Sequence, residues 1–182
     1  MDVNRGNFKG LKLETLSGEN TRPTQSRVKE AIFSMLSNNV YDAKVLDLFA
    51  GSGALGIESL SNNAKRVDFV DSNIDAIKVI NNNLNKLKDC EYKVHNIDYN
   101  KALINFKESN QKFDLIFLDP PYKQHLINKL LIDIEKLDLI NEFTIIVCES
   151  NLDENVISET SKLELYKEKK YGNTKIRMFR RK

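Results

Sequence analysis

The chain has 182 residues, 41% hydrophobic and 30% charged, which suits one globular domain and excludes a disordered polymer. No apolar run reaches membrane-spanning length, and the opening MDVNRGNFKG lacks the apolar core of a secretory signal, so a cytoplasmic protein without membrane partners is expected. The net charge of +2 does not by itself demand nucleic acid, but its distribution is uneven. Basic residues gather at the two ends (Arg5, Lys9, Lys12, Arg22, Arg27 and Lys29; Lys175, Arg177, Arg180, Arg181 and Lys182), a pattern that fits either a phosphate-binding patch or solubilising termini. Cys90 and Cys148 lie far apart, and His95 and His125 sit at no ligand spacing. Neither a disulfide framework nor a metal site is expected.

Residues 7–13 (NFKGLKL) read as a short hairpin arm. Arg22-Pro23-Thr24 then opens a helix, with Thr24 or Ser26 as cap and Val28, Ala31, Ile32, Met35 and Leu36 on its buried face. From Lys44 onward strand and helix patterns alternate. Strands are predicted at 45–49, 67–70, 92–97, 113–118 and 144–147. The clearest helix follows Ser72-Asn73, with Ile74, Ile77, Ile80, Leu84 and Leu87 on one stripe. Such alternation means βαβ units and a parallel sheet covered on both faces. At the end of the chain, 162–169 and 174–180 flank a Tyr171-Gly172-Asn173 turn, which adds an antiparallel strand. The parsing is one domain: residues 1–40 as arm and helix, 41–182 as an α/β core.

Two motifs carry chemistry. In the first, Asp47-Leu48-Phe49-Ala50-Gly51-Ser52-Gly53-Ala54-Leu55-Gly56, glycines follow a strand and precede a helix, where the backbone must turn sharply and approach a ligand. Asp71 ends the next strand, twenty positions after Gly51, where a carboxylate can accept from ribose hydroxyls. A glycine loop of this kind serves a dinucleotide or S-adenosylmethionine. Asp47 favours the second, because a carboxylate there repels pyrophosphate and attracts an ammonium or sulfonium. Asp98, after the third strand, is placed to accept from the adenine amine. Each aspartate alone also reads as a helix cap.

The second motif is Asp119-Pro120-Pro121-Tyr122, directly after the fourth strand. An exocyclic base amine is a poor nucleophile because its lone pair is delocalised into the ring. The Asp119 carboxylate and the Pro120 carbonyl can accept its two hydrogens and localise that pair, consecutive prolines fix the acceptor, and Tyr122 can stack on the unstacked base. The competing reading is a rigid strand-to-helix turn.

The succession of Arg22-Pro23-Thr24, the glycine motif, Asp119-Pro120-Pro121-Tyr122 and Tyr171-Gly172 resembles the RsmD family of 16S ribosomal RNA guanine-N2 methyltransferases, over nearly the whole chain. The resemblance implies a Rossmann-like, class I S-adenosylmethionine-dependent methyltransferase fold. It implies Asp47, Phe49, Gly51, Ser52, Gly53, Asp71, Ser72 and Asp98 around the donor, and Asp119 to Tyr122 against the target guanine, by family likeness guanine 966. Arg5, Lys9, Arg22, Thr24 and Arg27 are expected to face 16S ribosomal RNA, free or within an assembling small subunit. Two departures from the family stand out: Asp71 replaces a more usual glutamate, and Ser61-Asn62-Asn63-Ala64 replaces a more usual Ser-Arg-Gly-Ala. The rival classes are a base-amine methyltransferase of another RNA or of DNA, a nicotinamide-dependent oxidoreductase, which leaves Asp119 to Tyr122 unexplained, and a catalytically idle RNA-binding protein.

Overall fold

The alternating patterns fold into a seven-stranded sheet. The computed structural model describes residues 1–16, 23–121 and 126–182, with only the backbone at 23–25. Strands β1 (Lys44–Asp47), β2 (Arg66–Asp71), β3 (Tyr92–Asn96), β4 (Phe113–Leu118), β5 (Ile140–Asn151), β6 (Leu163–Tyr171) and β7 (Thr174–Arg181) lie in the order β3-β2-β1-β4-β5-β7-β6. The first five run parallel, and β7 is antiparallel to both its neighbours, one position in from the edge. This is the mostly parallel sheet with one antiparallel strand that the sequence predicts.

Strand residues alternate between two cores. Val45, Phe69, Phe117 and Val147 face the helices α1 (Pro23–Leu36), α2 (Ala54–Ser61) and α3 (Ile74–Leu84). Leu46, Val70, Leu118 and Cys148 face α4 (Tyr99–Glu108) and α5 (Ile127–Lys136). Period-two burial on both faces is what a sheet covered by helices on each side requires. The strand order reverses between β1 and β4, so their C-terminal ends open a crevice where ligands bind in folds of this kind.

Three details differ from expectation. β5 starts at Ile140, because the register with β4 jumps from Phe113–Ile140 to Leu115–Ile145. The intervening residues bulge, leaving Phe143 exposed and the Asn141 side chain on Asp114. The arm is longer than residues 7–13: Met1 to Val3 pair with 11–13, through Val3 N to Leu11 O at 3.0 Å and Leu13 N to Met1 O at 2.7 Å. Asn63 takes φ of 64°, a left-handed conformation that asparagine tolerates. Its side chain accepts from Asn7 of the arm at 2.9 Å.

A buried ion pair fastens the arm. Glu58 of α2 is fully buried and receives the backbone amides of Asn4 (2.9 Å) and Arg5 (2.8 Å) as well as the ammonium of Lys29 from α1. Lys29 also donates to the Asp2 carbonyl and the Asn4 side chain. Glu58→Leu strands two amides and a buried cation together, so it is expected to cost about 3–5 kcal/mol. Lys29→Met leaves the carboxylate with its two amide donors and should cost less. Urea denaturation of both variants checks the order, and a costlier Lys29→Met would overturn this assignment.

Candidate active site

The crevice between β1 and β4 holds a cavity of about 510 Å³. Its floor is the glycine loop. Gly51 and Gly53 adopt φ of 53° and 79°, which L side chains rarely take, and Gly53 caps α2 in the left-handed region. A Cβ at Gly53 would also press on Ile80, Ile57 and Phe69 at 3.3–3.4 Å.

The expected donor residues come together here. Asp47, Phe49, Gly51, Ser52, Asp71, Ser72 and Asp98 all line the cavity, while Gly53 sits just beneath it. The aspartates do two things at once. Asp47 accepts from Gly56 N at 3.0 Å, Asp71 from Gly51 N at 2.9 Å and Asn73 N at 2.8 Å, and Asp98 caps α4 through Asn100 N at 2.9 Å. Capping and ligand reading were rivals in the sequence. Asp98 is the N-cap of α4, whereas Gly53 and Asn73 hold the N-cap positions of α2 and α3, and each of the three carboxylates keeps lone pairs beyond these backbone bonds. The same bonds weigh against a dinucleotide, since carboxylates already occupy amides at the glycine loop and in the first turn of α2 that a pyrophosphate would need.

Asp119, Pro120 and Pro121 line the same cavity, with Asp119 partly exposed and Pro120 buried. Arg22, Tyr122 and the side chain of Thr24 lie outside the described residues. Among the described residues, the cavity is lined by the carboxylates of Asp47, Asp71, Asp98, Asp119 and Glu149, and its one lysine, Lys29, is bound to Glu58. The wall is built to receive positive charge and hydrogen-bond donors.

Several residues that line the wall or bond to it escape sequence reading. Asn83 interrupts the apolar stripe of α3; its buried side chain donates to the carbonyls of Ser52 and Glu14, both at 3.0 Å, pinning the glycine loop to the arm. That polar residue in an apolar stripe was the available signal. Tyr99 lies against Phe49, ring centroids 5.3 Å apart, and both line the cavity. Lys29 and Glu149 carried no local signal.

The basic residues divide. Arg5 and Arg27 are exposed and share a second cavity of about 270 Å³ with Lys169 and Tyr171, which also borders Glu30. Lys9 is exposed but does not line it. At the C-terminus, Arg177 is a correction: it is 4% exposed and bonded to Ser150, Glu168 and Glu154 rather than part of a surface patch. Arg180 and Lys182 pair with Glu164 and Glu159 at 2.8 Å each.

Burial, reinforced by the neighbouring charge of Asp71, raises the Asp47 carboxyl from 3.8 to about 7 against the opposing bond from Gly56. An acid raised in the folded state binds its proton more tightly there than when unfolded, so its contribution to stability declines as pH climbs from 3.8 to about 7. Asp47→Asn removes that decline. Its urea midpoint should exceed the parent's at pH 8, with the advantage fading near pH 4. An advantage independent of pH would exclude a buried charge as the cause.

The sequence matches the family described as Conserved hypothetical protein 95 over residues 1–180. It is 35% identical to the Bacillus subtilis protein YlbH, covering 100% of this chain and 99% of that one. It is 32% identical to the ribosomal RNA small subunit methyltransferase D of Haemophilus influenzae, covering 96% and 90% respectively. Among solved structures, yhhF from Escherichia coli superposes with a TM-score of 0.87 at 28% identity, covering 100% of this chain and 98% of that one. The chain belongs to the Conserved hypothetical protein 95 family, the RsmD family of ribosomal RNA small subunit methyltransferase D proteins.

Proposed function

We propose that the protein transfers a methyl group from S-adenosylmethionine to the exocyclic N2 of a guanine in 16S ribosomal RNA, by family likeness guanine 966, on free RNA or an assembling small subunit in the cytoplasm. The observation that carries this reading is the cavity wall, where Asp47, Asp71 and Asp98, suited to a cationic ligand, share one cavity with Asp119-Pro120-Pro121, suited to an amine. When bound, S-adenosylmethionine supplies an electrophilic methyl carried on a positive sulfonium. Asp47, Asp71 and Asp98 hold its charged and hydroxyl-bearing ends, Phe49 lies beside it, Gly51, Ser52 and Gly53 permit close backbone approach, and Ser72 closes the rim. Asp119 and the Pro120 carbonyl take the two amine hydrogens, which localises the nitrogen lone pair toward the methyl. As the new N–C bond forms, the amine proton becomes acidic and Asp119 is positioned to receive it.

Mass spectrometry of ribosomal RNA nucleosides from cells with and without the gene tests the reaction. N2-methylguanosine should fall by one residue per small subunit when the gene is absent, and an unchanged level would overturn the proposal. In vitro, Asp119→Ala should abolish turnover while donor affinity stays within a few-fold. Loss of a positioned acceptor in a dry site costs on the order of 2.7–4 kcal/mol of barrier. Near-parental turnover would remove Asp119 from the chemistry.

Residues 1–40 form the RNA-contacting extension on this reading, and 41–182 the donor-binding core. Arg5, Arg27 and Lys169 hold no ion pair among the described residues, and they border the second cavity, where phosphate oxygens can settle. Replacing the three with glutamine should weaken RNA binding and lower the slope of log affinity against log salt by roughly 0.7–0.9 for each phosphate no longer neutralised. Lys9→Gln, outside that cavity, should change the slope less. A triple variant with the parental slope would return these charges to a solubilising role.

A further inference from the structure

The cleft carries a second acid beside Asp119 to which the reaction so far assigns nothing. β4 and β5 run parallel with Leu118 opposite Cys148, so Asp119, just past the end of β4, and Glu149, within β5, follow at the same level, their backbones about 5 Å apart. Leu118 and Cys148 face the α4–α5 core, whereas Phe117 and Val147 face the opposite one. Alternation therefore directs Asp119 and Glu149 to the α1 side, where both line the cavity and both are half-buried.

Each carboxylate has two oxygens and several lone pairs, so two carboxylates at one level can accept from adjacent donors whatever else they contact. The four RNA bases differ in what stands next to their exocyclic amines. Guanine has a ring N1–H beside N2, giving adjacent donors along one edge. Adenine has the bare N1 beside N6, cytosine has the bare N3 beside N4, and uracil has no amine. A pair of acceptors side by side suits the guanine edge and sets a carboxylate against a lone pair on the other two.

We infer that Glu149 selects guanine: its carboxylate accepts the N1–H while Asp119 and the Pro120 carbonyl take the amine hydrogens. The inference rests on the guanine-N2 reading above. A misplaced lone pair at such a contact lowers the specificity constant on the order of tenfold to a hundredfold.

2-Aminopurine separates recognition from chemistry, because it keeps the 2-amine and lacks the N1 hydrogen. The parent enzyme and Glu149→Gln are compared on 16S RNA carrying guanine or 2-aminopurine at the methylated position, with kcat/KM for transfer and RNA affinity in the presence of S-adenosylhomocysteine as readouts. The parent should prefer guanine by on the order of tenfold or more. Glu149→Gln, whose amide can donate to the bare N1, should lose most of that preference in both readouts while binding S-adenosylhomocysteine as the parent does. Glu149→Ala, with neither acceptor nor donor, should lose guanine transfer without gaining on 2-aminopurine. If the parent methylates guanine N2 and Glu149→Gln keeps the parental preference, the inference fails alone. If the parent puts no methyl on guanine N2, the function reading fails and takes this inference with it.

Discussion

Glu58 is buried on the helix that follows the glycine loop, and three segments of the chain meet at its carboxylate. The amides of Asn4 and Arg5 and the ammonium of Lys29 converge there, so the arm, α1 and α2 take up fixed positions through one residue. These segments supply Met1, Val28, Lys29, Ile32, Ala54 and Leu55 to the cavity wall. Desolvation alone pushes the Lys29 ammonium toward losing its proton, and Glu58 opposes that push. A buried pair with every remaining hydrogen-bonding group matched holds a geometry more than it adds stability. Here the geometry is one side of the active site. Asn83 does the same from the opposite side, joining the Ser52 carbonyl to the backbone of Glu14.

A second constraint runs through the electrostatics of the cleft. Asp47 is 2% exposed, beside Asp71, with one backbone donor among the described residues, and the raised carboxyl pKa that follows is an energetic cost to the fold. A cationic ligand relieves it, since positive charge nearby favours the ionised carboxylate. On the proposed reading, donor binding and Asp47 ionisation are coupled. Burial and the neighbouring Asp71 account for the raised carboxyl, and on the proposed reading a positively charged guest would be favoured beside it.

Most of the sheet was legible because its signals are local. β4 was read at its observed bounds, Phe113–Leu118, from five apolar residues in a run of six. The glycine loop, Asp71 and Asp98 were legible because strand, turn and acid fall at regular intervals along the chain. What escaped is non-local. Glu58 lies in an otherwise helix-forming stretch, and its value comes from residues more than fifty positions earlier. Glu149 acquires meaning only from the register of β5 against β4. The start of β5 was hidden because Asn141 and Glu142 look like loop, and they do bulge from the strand. Arg177 looked like one more basic tail residue, and only the β5–β7–β6 packing shows it bridging Ser150, Glu154 and Glu168.

The charges of the two cavities bear on how a polyanion reaches an acidic cleft. Phosphates cannot approach five carboxylates closely, because that repulsion is unscreened within a Debye length of roughly 8–10 Å. RNA must therefore be held by cations elsewhere and send in only an uncharged base. α1 makes this division: Val28, Lys29 and Ile32 line the acidic cleft, while Arg27, Ala31, Ser34 and Met35 line the second cavity with Arg5 and Lys169. On the proposed reading the helix separates a place for backbone from a place for chemistry. A base that crosses between them has left its stack, and its stripped donor edge then meets carboxylates able to satisfy it. On that reading negative charge in the cleft acts twice, drawing the cationic donor in and keeping all of the RNA except the target base out.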